Sequence, residues 1–241
     1  MKKMTKWLSL LMAGLMLSAT LLACESAYTG SDDDDDEEEE ESSSKYEDLD
    51  PEEIEKALLK ADRFTFTVES LSGGTTENTT YLQSYSKYGN LLKGVIKITS
   101  SAFNSQKEVY ADLKNDLIYA QQDGAWTTHE EEVDLVDLLE GQMYSGLLLN
   151  SDNYLEFDPE TKRYPLKEEA IRKEIGTGDL VSVEGYLSSK GSEYTFFFSI
   201  TSANGIPQTC TVTVKFTADK ITLPKVESTG NEGVAVPDVK D

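Results

Sequence analysis

The sequence predicts an α+β fold in which a mostly antiparallel sheet follows one leading helix and is interrupted by inserted helices. Three features of the 241 residues carry that expectation. Apolar residues recur at helical spacing just after residue 50, and they switch at Arg63 to strict alternation. Alternating segments joined by short turns then fill most of the chain. A stretch near the middle returns to helical spacing. Short connections favour antiparallel neighbours, because a parallel pair needs a long crossover. A composition of 38 % hydrophobic and 28 % charged residues suits one core with attached segments.

The leading helix starts at Asp50-Pro51-Glu52-Glu53. Asp50 suits the cap, Pro51 the first turn, and the two glutamates complement the positive end of the helix dipole. Ile54, Ala57, Leu58 and Ala61 then form one apolar stripe. Beyond it, Phe64, Phe66 and Val68 alternate with Arg63, Thr65 and Thr67, as a half-buried strand requires. Residues 81–88, 91–99 and 108–113 read as further strands. Residues 117–122 and 125–129 form a hairpin around Asp123-Gly124, a dipeptide that accepts the positive φ of a tight turn.

Residues 130–149 are expected as a helix, with Val133, Val136, Leu139 and Met143 on its stripe and Leu135 and Leu138 widening it. A shorter helix over 166–175 should stop at Gly176-Thr177-Gly178. A strand over 180–188 and a turn at Lys190-Gly191 lead into the two clearest strands. Tyr194, Phe196, Phe198 and Ile200 share one parity, while Cys210, Val212, Val214 and Phe216 alternate with Thr209, Thr211, Thr213 and Lys215. Cys210 therefore sits among large apolar side chains and reads as a buried structural thiol. The count is eight or nine strands.

The flanks are of another kind. Lys2, Lys3 and Lys6 precede an apolar run from Trp7 to Ala23, the layout of a secretory signal, and the run is short for a comfortable spanning helix. Five aspartates (Asp32 to Asp36) and five glutamates (Glu37 to Glu41) follow, with nothing to bury. Like charges repel along such a tract, so residues 24–49 are expected as an extended, disordered tether. At ~3.3–3.6 Å per residue, ~20 residues reach about 65–70 Å at most. The EF-hand alternation of carboxylates with a glycine turn is absent from the tract. After Val226 the chain becomes a loose tail of Gly, Glu, Asn and Val. The expected organisation is thus a signal over 1–23, a tether over 24–49, one domain over 50–226 and a tail over 227–241.

Leu21-Leu22-Ala23-Cys24 resembles the lipobox of bacterial lipoproteins, with Leu22 standing where the pattern has a small residue. The resemblance implies cleavage before Cys24 and a diacylglyceryl group, with palmitate-type chains, on its sulfur. Paired acyl chains hold a membrane stably where one chain would be marginal. Tethers of this kind resemble those of Gram-positive surface lipoproteins, which places the domain outside the cell membrane. The order of elements over 50–226, the segment Tyr119-Ala120-Gln121-Gln122-Asp123-Gly124-Ala125-Trp126 and the closing Phe216 to Pro224 resemble the LolA-like half-barrel lipoproteins. That family implies a strongly curved sheet whose concave face is covered by the inserted helices, with room between them for acyl chains or other apolar ligands.

Composition excludes several chemistries. With 22 basic against 45 acidic side chains, a net charge of −23 leaves too few cations for nucleic acid. Two cysteines and one histidine rule out a disulfide scaffold and a Cys/His zinc site, and no metal or cofactor is expected. His129 is the one imidazole and, beside Glu130-Glu131-Glu132, reads as a surface residue. No nucleophile elbow, phosphate loop or dinucleotide fingerprint occurs. Carboxylate pairs such as Glu168-Glu169 or Asp134-Asp137 suit glycoside hydrolysis in principle, but 45 acids generate pairs by chance.

The expectation is a non-enzymatic, membrane-anchored lipoprotein that binds a hydrophobic ligand or a partner protein. A ligand cavity would be lined by Phe64, Phe66, Val136, Leu139, Phe196, Phe198, Val212 and Val214, and the same residues equally suit a closed dry core. The alternative is a module that presents a sheet edge or the strand of Tyr81, Tyr85 and Tyr88 to cell-wall glycan or protein. Those tyrosines also suit ordinary cross-strand packing.

Overall fold

The computed structural model describes residues 45–73, 78–99, 104–140, 145–175, 180–203 and 205–226. The signal, Cys24, the acidic tract, Met143, the Gly176-Thr177-Gly178 stop and the tail lie outside the described residues.

Helix α1 (Pro51–Lys60) opens on a capping box: Asp50 Oδ1 accepts from the Glu53 amide at 2.8 Å, and Glu53 Oε2 accepts from the Asp50 amide at 3.1 Å. Its buried residues are Pro51, Ile54 and Leu58, with Ala61 just beyond the end, and Ile54, Leu58 and Ala61 follow the expected stripe. Strands β1 (Arg63–Gly73), β2 (Asn78–Tyr88), β3 (Leu91–Thr99), β4 (Asn104–Asp112), β5 (Leu117–Gln122) and β6 (Ala125–Glu130) follow as a meander of antiparallel neighbours. The β5–β6 hairpin turns at Asp123 and Gly124, both with positive φ.

The middle region differs from the single helix expected over 130–149. Glu130 ends β6, helix α2 occupies Leu135–Glu140 and helix α3 occupies Ser145–Leu148. The side chain of Asp134 stops any earlier start, because its Oδ1 accepts from the Val136 amide at 2.9 Å in the manner of an N-cap. A 3₁₀ turn (Ser151–Asn153) capped by Asn150 leads to strand β7 (Arg163–Pro165), which the sequence reading missed. Three residues are too few for alternation to register. Helix α4 (Glu168–Ile175) begins after Leu166, whose amide is instead bonded to Gly185 O at 2.9 Å. Strands β8 (Leu180–Lys190), β9 (Glu193–Ser202) and β10 (Pro207–Lys215) complete the sheet.

Among the described residues, ten strands form one curved, unclosed antiparallel sheet in the order β6-β5-β4-β3-β2-β1-β10-β9-β8-β7. Two meanders meet where β1 pairs with β10, so the first and last strands lie in the middle and β6 and β7 are the edges. This order explains the helices. The link from β6 to β7 must cross the whole sheet, nine steps of ~4.8 Å or about 43 Å if flat, and it does so over one face. Leu138, Leu139, Leu147, Leu148 and Tyr154 of that link are buried in one cluster with Phe64, Phe66, Phe196, Phe198, Val212 and Val214 of the sheet.

The packed chain begins before the helix. Tyr46 stacks on Phe216 at 4.4 Å between ring centroids, and the Tyr194 hydroxyl donates to Tyr46 O at 2.6 Å while accepting from the Leu49 amide at 2.9 Å. Residues 46–49, assigned by the sequence to the tether, are therefore held against β9 and the end of β10.

Candidate functional site

The register divides the sheet into two faces of different chemistry. One inner row runs Val214, Phe66, Tyr85, Gly94, Val109 and Ala120 across β10, β1, β2, β3, β4 and β5. The next runs Phe64, Lys87, Leu92, Ala111 and Ile118. On β1 and β9 the inner side chains are largely aromatic (Phe64, Phe66, Tyr194, Phe196 and Phe198), on β10 they are Cys210, Val212 and Val214, and all are buried in one cluster with Ile54 and Leu58 of α1. Toward β3, β4 and β5 the small Gly94, Ala111 and Ala120 stand among Leu92, Ile96 and Ile118.

An apolar gap of about 30 Å³ lies at that change of size, walled by Tyr85, Leu92, Gly94, Ala111 and Ile118 of the sheet and roofed by Val133 and Leu138. The small residues create it. A Cβ added at Gly94 would come within 3.1 Å of the Tyr85 ring.

Seven of the eight residues named for a cavity are together in the core: Phe64, Phe66, Leu139, Phe196, Phe198, Val212 and Val214 are each at most 2 % exposed. None of them lines the gap. The eighth, Val136, is not with them and is 37 % exposed. A helix that starts at Leu135 turns Leu135, Leu138 and Leu139 to one side, and Val136 falls about 100° away from Leu135. The residues that do line the gap were missed because small size at Gly94 and Ala111 leaves no mark in a hydrophobic pattern; only cross-strand register brings them together.

The tyrosine strand is also resolved differently. Tyr85 is 1 % exposed and belongs to the inner cluster, so it cannot meet a glycan on the surface. Tyr88 has the opposite parity to Tyr85, and Arg63 Nη2 donates to its hydroxyl at 2.9 Å, with the guanidinium over its ring at 4.5 Å.

Two polar side chains sit at the margins of the inner face. Lys87 Nζ donates to Ala61 O, at the carbonyl end of α1, at 2.6 Å. Burial pulls the Lys87 pKa down, against the opposing charge of Asp62. His129 is 40 % exposed at the side chain and lies 3.0 Å from Glu131 Oε2 on the edge strand. Cys210 is fully buried, opposite Ser70 and Phe198 in the register, and burial pushes its thiol up to about 11. A thiol held protonated there is a poor nucleophile.

The outer face is hydrophilic. One row runs Thr65, Ser86, Lys93, Tyr110, Tyr119 and Thr128, and its neighbour Thr67, Ser84, Val95 and Glu108. Lys93 Nζ is 3.0 Å from Glu108 Oε1, and the Tyr110 hydroxyl donates to Glu108 Oε2 at 3.1 Å. Burial pulls the Lys93 pKa down, but the bond and charge of Glu108 outweigh it and leave Lys93 above the ordinary lysine value. Burial, then Glu108, raises that of Tyr110.

No family model matches the chain, and no curated protein matches it either. Among solved structures it is similar to LprF from Mycobacterium bovis at 11 % sequence identity, covering 73 % of this chain and 96 % of that one, with a TM-score of 0.28. A likeness of that degree says nothing about what this chain binds.

Proposed function

We propose that the protein is a non-enzymatic, membrane-anchored lipoprotein outside the cell membrane that takes an apolar ligand between the inner face of β2 to β5 and helix α2. The observation that carries the reading is the apolar gap under α2, left where the small Gly94 and Ala111 stand between Tyr85, Leu92 and Ile118. A gap of about 30 Å³ is far too small for an acyl chain. An acyl chain therefore needs α2 displaced. That helix is the element suited to yield, since it is six residues long and holds the sheet chiefly through Leu138 and Leu139. Anchoring rests on Cys24 and the segment before it.

Native mass spectrometry of the full chain expressed in bacteria tests the site. Protein carrying a lipid-mass adduct beyond any covalent lipid supports it, and the adduct should fall in Ala111→Leu, which fills the gap, provided the variant unfolds at a similar temperature. Consistently ligand-free protein removes the proposal. The anchor is tested separately by radiolabelled palmitate, which should enter the wild-type chain and be absent from Cys24→Ser.

A further inference from the structure

The outer face carries a concavity of about 250 Å³, formed where residues 219–222 pass over β2 and β3 after the last strand. Its position follows from the register. Ser86, Lys93 and Tyr110 stand side by side in one cross-strand row, Ser84 and Val95 in the next, and Ile221, 8 % exposed, pins the crossing segment down. The Thr65 hydroxyl, donating to Thr217 O at 2.9 Å, fixes the point where that segment leaves the sheet. Asp219, Lys220 and Thr222 form the opposite wall.

We propose that this concavity is a binding site for a neutral sugar ring, separate from the apolar gap of the other face and independent of it. Charge decides the ligand class. Lys93 and Lys220 are balanced by Glu108 and Asp219, so the walls present no net field that would select an anion or a cation. Donors and acceptors are nonetheless dense and of both kinds. The side chains of Ser86, Asp219, Lys220 and Thr222 make no hydrogen bond or ion pair among the described residues. The Lys93 ammonium has three donors, of which Glu108 and the Tyr110 oxygen take two, which leaves one for a ligand. Val95 and Ile221 supply an apolar surface for the C–H face of a ring. A hydroxyl-bearing ring uses alternating donors and acceptors on its rim and apolar contact on its face, which an inorganic ion does not. The volume is just under the ~300 Å³ at which small-molecule sites usually begin, and it suits a mono- or disaccharide.

Glu108 is the positioning residue. It holds both Lys93 and Tyr110 in place before any ligand arrives, which reduces the ordering cost of binding.

Isothermal titration calorimetry of the full chain with chitobiose, maltose and inorganic phosphate tests the assignment. The expected result is saturable binding of a disaccharide and none of phosphate. Asp219→Ala and Lys220→Ala, both at exposed positions that leave the thermal unfolding temperature unchanged, should each weaken it about fivefold to tenfold. Ser86→Phe should abolish it, and Glu168→Gln on α4 should leave it unmoved. No saturation with either sugar overturns the proposal. So does phosphate binding in place of sugar, or sugar binding that ignores the Asp219, Lys220 and Ser86 variants alike.

Discussion

Tyr194 does two jobs with one side chain. Its ring is fully buried against Phe216 at 6.0 Å between centroids, and its hydroxyl both donates to Tyr46 O and accepts from the Leu49 amide. Tyr194→Phe keeps the ring and strands two backbone groups, so it should cost about 1–3 kcal/mol in urea unfolding and raise hydrogen exchange at Leu49. Burial raises the pKa of Tyr194 and pushes that of Tyr154, whose hydroxyl donates to Leu148 O at 2.6 Å, well above the usual phenol range. The Cys210 thiol is pushed the same way. Each of these groups is raised on folding, so the unfolded chain releases its proton first. Stability should therefore be level below about pH 8.5, where free thiols begin to ionise, and should fall progressively as the pH rises through 10 and beyond. Chemical denaturation at pH 7, 9 and 10.5 checks this. A midpoint that does not move would show that burial of the three groups has been overstated. Alternating parity made the burial of Cys210 legible in the sequence. The bonds of Tyr194 were not, because they join residues about 145 positions apart.

At the scale of the element, α1 was legible from local chemistry alone, whereas the middle helices were legible in their spacing but not in their bounds. A capping box needs only four consecutive positions, and Asp50 and Glu53 form one as the sequence requires. Asp50→Ala should cost about 1 kcal/mol, measured by thermal or urea unfolding. In 130–149 the hydrophobic residues are so dense that stripes of several orientations fit, and the expected one through Val133, Val136, Leu139 and Met143 combines Leu139, which is buried, with Val136, which is exposed. The cap at Asp134 settled the phase. Gly185 illustrates a contact that no periodicity encodes. A Cβ there would lie 2.8 Å from Leu166 Cδ2, 3.0 Å from Leu166 Cβ and 3.2 Å from Phe197 O. Gly185→Ala should therefore destabilise by about 1–3 kcal/mol, despite being favourable to strand propensity, and unchanged stability would show that Leu166 can move aside.

For the whole molecule, the decisive contact is the pairing of β1 with β10. It joins two local meanders through strands separated by most of the domain, and it puts β10 between β1 and β9 in the middle of the sheet. A chain ending after β9 would leave the inner residues of β1 and β9 without Cys210, Val212 and Val214, and both strands would have an unpaired edge there. Truncation after residue 203 should therefore give no dispersed amide spectrum, whereas removal of residues 227–241 should leave the fold intact; a folded short chain would mean that each meander stands alone. Long-range pairing of this kind also favours slow folding. By itself the sequence determined the α+β class, the strand parity and the helix cap, because each depends on neighbours a few residues away. The charge of the acidic tract is equally plain, since composition suffices for that. Only the tertiary structure decided the strand order, the crossing of the middle helices over one face, the split between the gap and the solid core, and the outer concavity. Those depend on which rows of different strands stand side by side, and register over long separations is set by the sum of many packing contacts and by no single local signal.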